Sequence, residues 1–172
     1  MLALAGKLED GLGHLARLFY ALAALALVAI VAITVASVAM RRLAGSPLYY
    51  TEELVGLLLG ASLFLTLPKV TIEVSHVRVT FLASFLSERG RGVLAVFSVI
   101  VTLAFCSWFL VEAIPWIEFA FKRNIKTEAS SLLLVPWMAV LPISIALYAL
   151  LTLMRMITGR EKASFDALRQ LE

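Results

Sequence analysis

Long apolar runs separated by short polar clusters organise this chain. Residues 18–40 carry no charge, and at about 1.5 Å rise per residue a helix of that length crosses the roughly 30 Å hydrocarbon core of a bilayer. The next run, residues 51–72, opens with Glu52 and Glu53 and carries Pro68 and Lys69 near its far end. Carboxylates at one interface and a snorkelling Lys at the other extend its reach. Two further runs follow, and the pattern predicts spans at about 18–40, 51–72, 93–113 and 132–155. The expected architecture is an all-α integral membrane protein, with residues 1–172 forming a single four-helix membrane domain. Between helices 2 and 3, Val79, Leu82, Ala83 and Leu86 recur at helical spacing, which predicts a short cytoplasmic interfacial helix.

Composition agrees with a bilayer. The chain is 62% hydrophobic and only 16% charged over 172 residues, with a mean hydropathy of +0.96. That is more apolar surface than one soluble core of this size requires. Ser37-Val38-Ala39 imitates a small-residue cleavage site, but the apolar run before it is longer than the usual signal-peptide core, so it reads as a span. Basic residues set the orientation. With four spans, Lys7, Arg17, Lys69, Arg78, Arg89, Arg91, Arg155, Arg160, Lys162 and Arg169 share one side, against Arg41, Arg42, Lys122, Arg123 and Lys126 on the other. The positive-inside rule then puts both termini in the cytoplasm and Arg41-Arg42 on the outer face.

Catalytic chemistry is sparse. Cys106 has no second thiol to pair with and reads as a small buried residue. His14 and His76 are the two histidines, too few for a bundle holding two haems between paired histidines. Phosphate loops, nucleophile elbows and paired metal-ligand motifs do not occur, so no enzymatic activity and no cofactor is expected. The net charge of +3 is spread over membrane flanks and argues topology rather than nucleic-acid binding. No ionisable residue occupies the middle of an expected span; Glu52, Glu53 and Glu112 stand near the outer interface. A carrier acting alone would lack its usual intramembrane carboxylate, which favours a supporting role.

Packing signals point the same way. Gly56 and Gly60 form a G-x-x-x-G pattern, and Ala29, Ala32, Ala36 and Ala39 form a small-residue stripe on the first span. Such residues let membrane helices approach closely, within the chain or against a partner. Pro115, Pro136 and Pro142 punctuate the outer halves of spans three and four, where a Pro frees a carbonyl and bends the axis.

Three ordered motifs carry a resemblance: Arg41…Pro47-Leu48-Tyr49-Tyr50-Thr51-Glu52-Glu53-Leu54, then Ser75-His76-Val77-Arg78-Val79, then Thr127…Pro136-Trp137…Leu141-Pro142-Ile143. Their order and placement between spans resemble the small membrane subunit, DctQ type, of tripartite ATP-independent periplasmic (TRAP) transporters. Two positions depart from that family: Tyr50 stands where an aromatic, often Trp, is common, and Thr80 where an Asp is common. The resemblance implies a non-enzymatic scaffold subunit of a sodium-coupled uptake transporter in the bacterial inner membrane. Its implied partners are a large multispan transport subunit of DctM type, a periplasmic substrate-binding protein and membrane lipids.

The residues expected at partner or packing interfaces are Arg41, Arg42, Tyr50, Glu52, Glu53, Gly56, Gly60, His76, Arg78 and Pro142. Thr51 is expected to cap the second helix, with Glu52 and Glu53 favoured by its N-terminal dipole or paired with Arg41, Arg42 or basic groups of a partner. His76 and Arg78 are expected to hold the interfacial helix or the large subunit. Two other classes compete: a homo-oligomeric multidrug-type exporter, which would depend on Glu112, and a membrane anchor subunit of a redox enzyme, which would show haem absorbance.

Overall fold

The computed structural model describes residues 2–46, 48–73 and 88–158 and is built from four helices. These are α1 (Leu2–Ala44), α2 (Thr51–Glu73), α3 (Glu88–Lys122) and α4 (Val135–Thr158). Each is long and apolar enough to cross a membrane, and the protein is an all-α membrane protein. The interfacial helix expected between the second and third spans, with His76 and Arg78, falls outside the described residues, as does the tail from residue 159.

Two helices outrun their expected spans. α1 has 43 residues, about 65 Å at 1.5 Å per residue, because the segment before residue 18 continues the helix despite its polar positions. α3 begins at Glu88 and runs on to Lys122, past both ends of the expected 93–113. α4 instead starts three positions later than expected. Lys126 and Leu133 form an antiparallel bridge, so residues 132–134 close a hairpin rather than opening a helix.

The helices form a three-helix group with a fourth on its flank. α1 packs along α2 and more lightly on α4, α2 packs on α4, and α3 packs chiefly on α4. α2 and α4 run parallel, tied at both ends by contacts described below, with α1 and α3 antiparallel to them. A tight cluster of Ala16, Leu147 and Leu151, with Leu12, Phe19 and Ile72 packed around it, fills the end where α2 and α4 terminate.

The inward seam of α1 differs from the expected alanine stripe. Leu12, Ala16, Phe19, Ala23, Ala26, Ile30, Ile33 and Ser37 are buried or partly buried, as are Gly13 and Ala29 beside them, whereas Ala32, Ala36 and Ala39 of the expected stripe are exposed. The first eight alternate steps of four and three, the 3.5-residue period that keeps one face against a neighbouring helix. Hydroxyls in this setting bond to their own helix: Thr66 Oγ1 to Ser62 O at 2.8 Å, Thr71 Oγ1 to Leu67 O at 3.3 Å and Thr152 Oγ1 to Tyr148 O at 2.9 Å. Each spares a polar group in an apolar surrounding from going unpaired.

Candidate functional site

One end of the bundle gathers the α1–α2 junction and the α3–α4 hairpin. α1 stops at Ala44 with Gly45 at φ +67°, the left-handed geometry that glycine adopts without strain just past a helix end. Arg41 and Arg42 lie exposed in the last turn of α1, where the helix dipole favours cations.

The start of α2 departs from expectation. Leu54 N–H donates to Tyr50 O at 3.1 Å, so Tyr50, not Thr51, supplies the capping carbonyl. The Thr51 hydroxyl donates instead to Leu48 O at 2.8 Å, tightening the turn that precedes the helix.

α3 ends in a Schellman motif. Asn124 N–H donates to Phe121 O at 3.3 Å and Ile125 N–H to Ala120 O at 3.2 Å, with Asn124 at φ 45°. These two bonds and the left-handed residue define that cap. The chain then turns back: Thr127 N–H donates to Leu132 O at 2.9 Å and Leu134 N–H to Ile125 O at 3.0 Å. Leu134 O accepts from Met138 N–H at 3.0 Å and so caps α4. That puts Pro136 in the first turn, where its missing N–H breaks no helical bond and bends nothing. Pro115 and Pro142 do lie inside their helices.

Glu53 joins the two connections. Its carboxylate accepts from Ala129 N–H at 2.7 Å, Ser130 N–H at 3.0 Å and the Ser130 hydroxyl at 2.8 Å. Thr127 Oγ1 lies 2.6 Å from Ser130 Oγ and accepts from Leu132 N–H at 3.1 Å. A hydroxyl has one proton to give. Since Ser130 spends its proton on Glu53, Thr127 must donate to Ser130. The order is therefore Leu132 N–H to Thr127 to Ser130 to Glu53, a directed chain ending on a carboxylate, the strong kind of acceptor. Of the roles expected for Glu53, pairing with Arg41 or Arg42 is not seen among the described residues, and its bonds run to the hairpin instead. Glu52, one position earlier, faces out.

The opposite end carries a second tie that sequence reasoning missed. Arg155 in the last turn of α4 donates through Nη1 to Thr71 O, and to Ile72 O at 2.9 Å. It thereby ties the last described turn of α2 to α4. Lys69 lies 5.9 Å from the centre of the Tyr20 ring on α1, a cation–π distance.

The remaining expected residues scatter. A side chain added at Gly56 or Gly60 would meet no atom of the described residues within 4 Å, so among the described residues this G-x-x-x-G pair mediates no close packing. Tyr50 is exposed at the junction, and Pro142 sits partly buried in α4. No group of three or more His, Cys, Asp or Glu side chains converges among the described residues.

Among known protein families, residues 30–162 match the DctQ component of the tripartite ATP-independent periplasmic transporters. The chain belongs to the DctQ family. No curated protein and no solved structure matched it. The DctQ match begins inside α1 and ends beyond α4, so it takes in Glu53, the hairpin and Arg155. DctQ proteins are transporter components and not an enzyme family, which makes this chain the small membrane subunit of a TRAP transporter and supports neither the exporter nor the redox-anchor alternative.

Proposed function

We propose that this DctQ chain is the fixed membrane scaffold of a sodium-coupled TRAP uptake system. It braces a large multispan DctM-type subunit, which carries solute and sodium, and offers its hairpin end to a periplasmic substrate-binding protein. It lies in the bacterial inner membrane with both termini in the cytoplasm and the Glu53 hairpin in the periplasm. The charge asymmetry between its connections supports that orientation.

The observation that carries this reading is the joint between Glu53 and the hairpin. A carboxylate at the mouth of a membrane helix that is spent on backbone N–H groups is a structural fixture, not an ion site, and it turns two connections into one rigid outer surface. Rigid presentation lowers the ordering cost of docking. Arg155 braces the other end of the same helix pair, as a scaffold that must not move against its partner requires.

The test is purification of the tagged chain from its native membrane in mild detergent. A large multispan protein should accompany it, and the periplasmic binding protein should join when its solute is present. Recovery of the chain alone, at normal abundance, would refute the proposal.

A further inference from the structure

α3 is held differently from the other three helices. Its buried side chains among the described residues are Val99, Cys106 and Ala120, with Ala113 partly buried between them. These positions recur every seven residues and so form one line along the helix. α3 packs through that line chiefly on α4, whereas α1, α2 and α4 each have two or more neighbours. Pro115 interrupts it. The missing N–H leaves the Val111 carbonyl without its helical donor, and a Pro inside a helix is where the axis bends.

Beyond Pro115, residues 116–131 run through the last turns of α3, its cap and the hairpin. Ile125 N–H to Ala120 O and Thr127 N–H to Leu132 O knit this stretch together. Among the described residues, the hydrogen bonds that it gives to α2 all end on the Glu53 carboxylate. That joint lies at the surface, with the Ala129 bond exposed.

We infer that residues 116–131 form an arm hinged at Pro115 and latched to α2 by Glu53, with a released position reached when the latch opens. The inference goes beyond the scaffold function, because it gives one part of the outer surface two positions while the rest of the bundle stays in place. α2 and α4 remain tied at their other end by Arg155. A segment with one seam, one hinge and one surface latch moves at less cost than a helix with two neighbours.

The experiment measures distances between spin labels in the full-length chain in lipid nanodiscs, with Cys106 replaced by Ala. Labelled cysteines stand at the exposed positions Leu59 on α2, Val101 on α3 before the hinge, Phe121 on the arm and Ile143 on α4. Glu53→Ala should widen the Leu59–Phe121 distribution and shift it by several ångström, leaving Leu59–Val101 and Leu59–Ile143 as they were. Ser130→Ala, which removes one of the latch donors, should give a smaller change and serves if Glu53→Ala does not fold. Adding Pro115→Ala to Glu53→Ala should narrow the distribution again by stiffening the hinge. An unchanged Leu59–Phe121 distance, with amide exchange at Ala129 and Ser130 showing the latch open, would overturn the inference. Equal movement of all three pairs would overturn it too, since that is general loosening, and so would a Pro115→Ala addition without effect.

Discussion

Glu53 and Ser130, 77 positions apart, are held by two hydrogen bonds, one from the Ser130 amide at 3.0 Å and one from its hydroxyl at 2.8 Å. The pair couples the first turn of α2 to the connection between α3 and α4. Removing the acceptor while keeping the fold should release that connection. Glu53→Ala is expected to raise amide exchange at Ala129 and Ser130 roughly tenfold, with exchange in the middle of α2 unchanged, because local opening is governed by local bonds. Hydrogen-exchange mass spectrometry in detergent reads this directly.

The directed hydroxyl chain makes a sharper prediction at Thr127. Thr127→Val keeps the shape but removes both the proton given to Ser130 and the oxygen that accepts from Leu132 N–H. Thr127→Ser keeps both. Protease nicking of the hairpin should rise in the Val variant and stay at the unsubstituted level in the Ser variant.

Arg155 should matter for stability more than its place near a helix end suggests. Hydrogen bonds involving a charged group contribute about 1.5–3 kcal/mol, and Arg155 makes two, to the Thr71 and Ile72 carbonyls. Arg155→Ala is expected to destabilise the chain by that order, with Arg155→Lys falling between because the ammonium keeps the charge but its shorter stem ends short of where Nη1 sits. Thermal unfolding in detergent separates the three.

The α1 seam predicts an asymmetry between alanines that look alike in the sequence. Ala23 is 1% exposed, so Ala23→Leu should overpack the interface and cost about 1–3 kcal/mol. Ala32 faces outward, and Ala32→Leu should stay within about 0.5 kcal/mol of the unsubstituted chain. Equal losses in the two variants would mean that the seam is misassigned.

Which parts of this architecture were legible depends on where each signal lies. Three of the four spans were plain because a charge-free run of membrane length suits little besides the interior of a bilayer, whereas the second is charge-free only over 54–68 and was read through the charges at its ends. The ends were not: the polar positions of the α1 segment before residue 18 and the Gly-Arg-Gly stretch near Gly92 hide continuing helix, since hydropathy reports the membrane and not the hydrogen-bond ladder. The seam at Ala16, Ala23 and Ala26 was present as a 3.5-residue pattern, yet the denser stripe from Ala29 to Ala39 masks it. Glu53 was recognisable as a special residue, but its partners were not. Two of the three are backbone N–H groups of Ala129 and Ser130, which every non-proline residue carries, and the third is the Ser130 hydroxyl. Arg155 was missed for the same reason, because a carbonyl at the end of α2 has no sequence signature.

The central claim is that the chain serves transport as a scaffold whose outer surface depends on Glu53, without itself carrying solute. Solute uptake by the complete transporter reconstituted with its periplasmic binding protein tests this most directly, comparing the unsubstituted small subunit with the Glu52→Lys, Glu53→Lys double variant. Uptake should fall severalfold while the small subunit remains at its normal level in the membrane and still brings down the large subunit. Uptake at the unsubstituted rate in the double variant would contradict the account.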